Sequence, residues 1–141
     1  MKIAIRYFTR SGNTEKLARA AAEAVGVQAR TIEEPLEERT ELLILGASYY
    51  AFDLDPAVKT FLKENAPKIG TIVCVGTSAM MKSMYKPLKR VADKLGICVS
   101  REEYHCPGSF FKVHPGKPDA QDLENVAQLA CSVVAKLEQE K

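Results

Sequence analysis

Apolar runs alternate with segments of helical periodicity along the chain, and this alternation predicts successive βαβ units. Residues 3–8, 42–46 and 71–77 are short and almost continuously apolar, which is typical of strands buried on both faces. Residues 27–32 and 97–106 mix polar and apolar positions, which is typical of strands at the edges of a sheet. We therefore predict a doubly wound, three-layer α/β fold with a five-stranded parallel sheet in the order 2-1-3-4-5.

Four segments place apolar residues at helical spacing and are bounded by residues that begin or end helices. The predicted helices cover residues 13–25, from 55 to before 67, from about 85 to before 96, and from 119 onward. Gly26 and Gly96 end the first and third helices, because glycine adopts the left-handed C-terminal cap at low cost. Asp55 and Pro56 begin the second. Residues 33–41 form a charged connection that could hold one helical turn.

The composition is that of an ordinary globular protein, with 141 residues, 46% hydrophobic and 27% charged residues, and a formal net charge of +2. This length favours one domain over residues 1–141, and the near-neutral charge argues against nucleic acid as a partner. The first residues do not resemble a signal peptide or a membrane span. We therefore expect a cytoplasmic protein with no membrane partner, as a monomer or weak dimer.

The cysteines are scattered without the spacing of a disulfide framework or a zinc site. They are Cys74, Cys98, Cys106 and Cys131. His105 and His114 flank Cys106, but their spacing matches no ordinary set of metal ligands. We expect no metal site, and we interpret the thiols as buried or spare.

The loop between the first strand and the first helix is the most informative segment for chemistry. It consists of Thr9, Arg10, Ser11, Gly12, Asn13 and Thr14. Unpaired backbone N–H groups and the positive end of the helix dipole favour an anion at such a place, and glycine lets the anion approach. The loop lacks the lysine of a P-loop and the spaced glycines of a dinucleotide fingerprint, so a terminal phosphomonoester suits it best. Alternatively, Ser11 and Thr14 only cap the helix, although one hydroxyl would suffice for that.

The loops after the third and fourth strands, residues 47–54 and 78–84, reach the same edge of the sheet in this topology. Tyr49, Tyr50 and Phe52 offer flat apolar area for a ring system, although Phe52 could equally belong to the core. Met80 and Met81 either line the same pocket or pack at the start of a helix.

Four segments resemble the flavodoxin family, and together they cover essentially the whole chain. TRSGNT resembles the (T/S)-x-(T/S)-G-x-T loop that holds the phosphate of FMN in flavodoxins. LILGASYYAF is similar to the third strand and flavin loop, and TIVCVGTSAM to the fourth strand and its loop. GKPDAQDLENVA is similar to the last helix of small clostridial-type flavodoxin-like proteins.

This resemblance implies a flavodoxin-like fold with FMN as cofactor. The FMN-binding residues that it implies, together with the loops above, are Thr9, Arg10, Ser11, Gly12, Asn13, Thr14, Ser48, Tyr49, Tyr50, Ala51, Phe52, Thr77, Ser78, Ala79 and Met80. Because the flavin would carry out the chemistry, no side chain is expected to act as a catalytic acid or base.

The first hypothesis for function is a flavodoxin-like redox protein that carries electrons between partner enzymes. The second is an FMN-dependent NAD(P)H:quinone-type oxidoreductase, whose partners are small molecules. The third is a non-redox module that binds another phosphate-bearing ligand in the same loop. The short chain and the lack of a second nucleotide motif favour the carrier.

Two departures from the family favour the enzyme. Flavodoxins are typically acidic, whereas this chain has a basic excess after the third loop, at Lys82, Lys86, Lys89 and Arg90. These cations could attract an acidic partner or the phosphates of a dinucleotide, or form only a solvated helix face. In addition, the segment at residues 51–53 lacks the glycine whose peptide flips toward the reduced flavin in many flavodoxins, so strong stabilisation of a half-reduced flavin is not expected.

Overall fold

The computed structural model describes residues 1–10, 12–50, 53–78, 83–107 and 116–140. The strands are β1 (Ile3–Tyr7), β2 (Ala29–Thr31), β3 (Thr40–Tyr50), β4 (Asp53–Leu54), β5 (Ile69–Ser78), β6 (Cys98–Val99) and β7 (Tyr104–Pro107). The helices are α1 (Asn13–Val25), α2 (Pro56–Asn65), α3 (Tyr85–Leu95) and α4 (Ala120–Gln139), with a short 3-10 helix at Ala66–Lys68.

The sheet has the order β2-β1-β3-β5-β6, and these strands pair in parallel. β5 and β6 fall within the predicted fourth and fifth strands, so this order confirms the prediction of 2-1-3-4-5. The fifth position is shared, because β7 also pairs with β5, in parallel and further along it. β4, which the sequence pattern did not predict, pairs antiparallel with the end of β3. A two-residue strand is too short to show a period of its own.

The fifth strand was predicted as one run over residues 97–106, and the structure divides it into β6 and β7. The division coincides with a role for Glu103 at the start of α3. Its carboxylate accepts a hydrogen bond from the Ser83 hydroxyl, and its Oε2 accepts from the Met84 backbone N–H at 3.3 Å. Between β6 and β7 the chain leaves the sheet, and Glu103 in this segment caps the start of α3, about twenty residues earlier in the sequence.

The central strands are buried on both faces, which explains why they are apolar at successive positions. Leu43 and Leu45 of β3 pack in the core under α2 and α3. Leu42 and Ile44 of the same strand pack in the core under α1 and α4. Both faces of the parallel sheet are therefore covered by helices, as the predicted three-layer architecture requires.

The helix boundaries follow local signals closely. α1 ends at Gly26, and α3 ends at Gly96, and both glycines have left-handed φ values of 76° and 73°. At the start of α2, Asp55 accepts a hydrogen bond from the Ala57 N–H at 2.9 Å. Asp119 and Asp122 form a capping box at the start of α4. No helix in the described ranges is both long and apolar enough to cross a bilayer.

Arg6 is the one charged residue in β1, and it is only 8% exposed. Its guanidinium donates hydrogen bonds to the carbonyl oxygens of Glu34 at 2.9 Å and Pro35 at 3.2 Å. Burial lowers the pKa of Arg6, and the nearby carboxylate of Glu34 opposes this effect. The connection after β2 makes a hydrogen-bonded turn between Thr31 and Glu34 instead of a helical turn, and this turn presents the carbonyls to Arg6.

Candidate functional site

The ends of β1, β3 and β5 lie side by side at the carboxyl edge of the sheet. Tyr7 is in register with Gly46, and Ser48 is in register with Thr77. The backbone N–H of Phe8 also donates to the carbonyl of Gly46 at 3.0 Å, which continues the pairing beyond β1. The three loops that the sequence singled out therefore start from adjacent points. In open α/β sheets, ligands bind at this edge, where the order of the strands reverses.

The loop after β1 folds back on itself through a hydrogen bond between its own residues. The backbone N–H of Gly12 donates to Thr9 Oγ1 at 2.9 Å. Gly12 has a φ of 87° and stands at the N-cap of α1, where it has no side chain to cap the first turn. Since the Thr9 hydroxyl accepts from Gly12, its own hydrogen stays available for donation to a ligand. The loop thus combines a helix N-terminus with a hydroxyl donor.

Thr14 and Thr77 join the first loop to the end of β5. Their Oγ1 atoms are 3.1 Å apart, and the two residues are 1% and 4% exposed. One hydroxyl donates to the other, which leaves one further hydrogen for another acceptor. The hydroxyl of Thr14 is therefore bonded to β5, whereas the hypothesis of simple helix capping had it bonded to the backbone of α1.

Gly46 allows Thr14 of α1 to lie this close to the sheet. The sequence pattern did not identify Gly46 as a residue that shapes the site. A Cβ at residue 46 would lie 2.8 Å from the Cβ of Tyr7 and 3.1 Å from Cγ2 of Thr14. Only a residue without a side chain lets α1 begin so close to the sheet. The available signal was a glycine that interrupts an otherwise apolar strand, LLILG.

Arg10 reaches from the first loop to the start of α2. Its Nε donates to Asp55 Oδ2 at 2.9 Å, and the second guanidinium nitrogen lies 2.7 Å from the same oxygen. The guanidinium carbon is 5.6 Å from the centroid of the Phe8 ring. Arg10 was expected among the cofactor-binding residues, and its charge is directed to Asp55, while its side chain is 61% exposed.

Glu15 lies in the first turn of α1, where a free carboxylate would compete with an anionic ligand. Arg19 donates to its Oε2 at 3.0 Å, and the Tyr7 hydroxyl donates to its Oε1 at 3.1 Å. These hydrogen bonds, that of Arg19 first, lower the pKa of Glu15. The negative charge of Glu15 is thus balanced by Arg19, one turn further along α1.

The structure describes only some of the remaining residues that we expected at the site. Asn13 is buried at the start of α1, and Ser48 is half-buried on β3. The backbones of Tyr49 and Tyr50 pair with β4, and that of Ser78 pairs with β7. The side chains of those three residues lie outside the description, as do all atoms of Ser11, Ala51, Phe52, Ala79, Met80, Met81, Lys82 and His114.

Within the described residues, no three His, Cys, Asp or Glu side chains are grouped so that they could hold a metal ion. Cys74 and Cys106 are buried, and Cys98 and Cys131 are exposed. Burial raises the pKa of the Cys106 thiol to about 12. The arrangement offers neutral hydrogen-bond donors and backbone N–H groups at the sheet edge, which suits binding of an anion better than acid–base chemistry.

By sequence, the chain matches no protein-family model and no curated protein. Its fold, however, matches solved flavodoxin structures. A flavodoxin from the domain Archaea superposes with a TM-score of 0.79 at 18% identity, over 98% of this chain and 99% of that one. For flavodoxin 2 from Bacillus cereus, the TM-score is 0.66 at 16% identity, over 96% of this chain and 99% of that one.

The same fold occurs as part of a larger protein. The rubredoxin oxygen:oxidoreductase from Desulfovibrio gigas superposes with a TM-score of 0.74 at 18% identity, over 98% of this chain but 36% of that one. These similarities and the strand order define the class of protein: the chain has the flavodoxin fold, as the sequence motifs predicted.

Proposed function

We propose that this protein binds FMN at the loops after β1, β3 and β5 and carries electrons between partner enzymes. The observation that carries the proposal is the loop at residues 9–14, where Gly12 opens α1 without a capping side chain and the Thr9 hydroxyl lies beside it. A helix N-terminus with neutral donors is a suitable site for a phosphate group. FMN, when bound, would supply the redox chemistry, and the protein would hold and orient it.

The described residues fit the phosphate of such a cofactor. Thr9 and the first N–H groups of α1 would donate to it, and Thr14 supports the loop through Thr77. Arg10 forms an ion pair with the buried carboxylate of Asp55, and this pairing reduces the repulsion between Asp55 and a bound anion. Among the described residues, no atom lies within 4 Å of a Cβ built at Gly12, so these residues leave space beside the loop.

The ring system of FMN would lie between the second and third loops. Tyr49 or Tyr50 would supply an aromatic face for stacking, and the loop residues Ser48, Ala51 and Phe52 would complete that side. Thr77, Ser78, Ala79 and Met80 would border the ring from the other side, as the resemblance to flavodoxins implies. These assignments follow from the topology and from that resemblance.

A pair of glycine variants tests the phosphate assignment with a matched control. Gly12 and Gly26 stand at the two ends of α1, both have positive φ, and a Cβ added to either would meet no atom of the described residues within 4 Å. Gly12→Ala and Gly26→Ala should therefore each lower the free energy of unfolding by roughly 1 kcal/mol. Only Gly12→Ala should weaken FMN binding, measured as quenching of FMN fluorescence during titration. Equal FMN affinity in the two variants would remove the loop from the proposed site.

A comparison of FMN with riboflavin tests whether the phosphate group is recognised. Riboflavin has the same ring system but no phosphate, so it should bind far more weakly if the loop after β1 holds the phosphate. If riboflavin and FMN bind equally well, the ring alone is recognised. If neither binds, the third hypothesis applies, in which the loop holds a different phosphate-bearing ligand.

Electron carriage and enzymatic reduction are distinguished by the reductant that the loaded protein accepts. FMN-loaded protein should be reduced by dithionite under anaerobic conditions but not rapidly by NADPH, as followed by absorbance. Rapid reduction by NADPH would instead support the NAD(P)H:quinone-type oxidoreductase. The two titrations use separate portions of one FMN-loaded preparation. A failure to load FMN is therefore recognised before either reductant is added.

A further inference from the structure

A groove of about 430 Å³ runs between α2 and α3, outside the proposed flavin site. Its two walls carry four cations, Lys59 and Lys63 from α2 and Arg90 and Lys94 from α3. On each helix the two cations are four residues apart, so they project from the same face about one turn from each other. The groove is therefore lined by positive charge on both sides over about one helical turn.

The floor of the groove is apolar. It consists of Pro87, Val91 and Leu95, which recur every four residues along α3. Pro87 is buried, whereas Val91 and Leu95 are half-buried and keep part of their surface in solvent. The floor spans nine residues of α3, from Pro87 to Leu95, or about 12 Å, which is roughly the length of two turns of a docked helix.

Only part of the positive charge is balanced within the protein. Lys59 lies 2.6 Å from Asp53 Oδ2, and this contact lowers the pKa of Asp53, with a smaller contribution from Arg90. Lys63 and Lys94 form no ion pair with any carboxylate in the described part of the chain. Four cations and one carboxylate leave a strong positive excess in a protein whose formal net charge is +2.

We propose that this groove is a docking site for an acidic amphipathic helix of a partner protein. An apolar stripe on that helix would contact the floor, and carboxylates on both sides of the stripe would meet the cations of the two walls. A small phosphate ligand suits the groove less well. Its walls are helix flanks, whose backbone N–H groups are already bonded, and phosphate sites rely on free N–H groups at helix N-termini.

The position of the groove gives the docking a consequence for electron transfer, which rests on the proposed function. Asp53, which also lines the groove, belongs to β4 and lies within the second loop of the candidate flavin site. A docked partner would therefore lie beside the edge of the flavin. Binding of the acidic helix itself does not require FMN, so the two proposals can fail separately.

The probe is a fluorescently labelled synthetic helical peptide with leucines four residues apart and glutamates on both sides of this stripe. Fluorescence anisotropy should show saturable binding to the full chain, with and without FMN, that weakens as salt is raised. Lys63→Gln combined with Lys94→Gln should weaken the binding about three- to tenfold, as expected for the loss of two exposed charge pairs. Val91→Thr keeps the side-chain shape but places a hydroxyl in the apolar floor, so it should also weaken peptide binding.

A matched control removes the same charge elsewhere. Lys16 on α1 and Arg39 before β3 are exposed, and neither of them lines the groove. Lys16→Gln combined with Arg39→Gln should leave peptide binding unchanged. The proposal is overturned if this control weakens binding as much as the groove variant, or if a peptide with glutamine in place of glutamate binds equally well. Displacement of the peptide by micromolar pyrophosphate or ATP would assign the groove to small phosphate ligands instead.

Discussion

The guanidinium of Arg10 and the carboxylate of Asp55 form an ion pair of 2.7 Å that joins the loop after β1 to the first turn of α2. The same carboxylate accepts the Ala57 N–H through its other oxygen, so one buried side chain caps a helix and positions a loop. Two segments that are 45 residues apart in sequence are thereby held together at the candidate site.

Substitution of Asp55 should separate these two roles. Asp55→Asn keeps an oxygen for the N-cap and removes the charge, so it should cost less than about 1 kcal/mol, because Arg10 is largely exposed and such pairs are weak. Asp55→Ala removes the cap as well and should cost about 1–2 kcal/mol. Urea unfolding followed by circular dichroism measures both values. An equal loss in the two variants would show that the cap contributes nothing.

The Thr14 and Thr77 hydroxyls should be energetically coupled, because each is the buried partner of the other. Thr14→Val or Thr77→Val alone leaves a buried hydroxyl unsatisfied and should cost about 1–2 kcal/mol. The double variant should cost clearly less than the sum of the two, since both polar groups are then gone. Additive losses in the unfolding free energies would indicate that the hydroxyls do not interact.

The four thiols should fall into two classes of reactivity. Cys98 and Cys131 are exposed, whereas Cys74 and Cys106 are buried with raised pKa values. Because the thiolate is the reactive form, two thiols should react rapidly with a disulfide reagent at neutral pH, and two more only in urea. Cys98→Ala should remove one rapid equivalent, and Cys106→Ala should remove one slow equivalent. Four rapid equivalents in the folded protein would contradict the burial of Cys74 and Cys106.

Alkaline pH should destabilise the fold through the buried thiol of Cys106. Burial raises the pKa of Cys106 from 9.0 to about 12, so the unfolded thiol loses its proton at a lower pH than the folded one. The unfolded state then binds fewer protons above pH ~9, and the free energy of unfolding falls as pH rises, by about 1.4 kcal/mol per pH unit for one such group.

Tyr104 adds to this alkaline effect, because burial and its hydrogen bond to Asp122 raise its pKa to about 12. The Cys106→Ala variant isolates the contribution of the thiol. Its unfolding free energy should fall less steeply between pH ~9 and ~12 than that of the unsubstituted protein. Cys98→Ala, at an exposed position, should keep the original slope. Parallel profiles for all three proteins would show that Cys106 titrates alike in both states.

Local patterns along the chain predicted much of the fold. The first helix was predicted at residues 13–25, and its bounds are Asn13–Val25, because a periodic apolar stripe and a C-terminal glycine act within a few residues. The strand order followed from the polarity of whole strands. The short β4 and the break between β6 and β7 were not predicted, since neither changes the local pattern enough to be recognised.

The sequence by itself determined the α/β class, the order of the sheet and the loops that meet at its carboxyl edge, because periodicity, caps and strand polarity are local properties. Only the tertiary structure decided that Arg10 bonds to Asp55, that Thr14 meets Thr77, and that cations of α2 and α3 line one groove. Those contacts join residues far apart in the chain, and they depend on the distances at which packed elements settle, which no local pattern encodes.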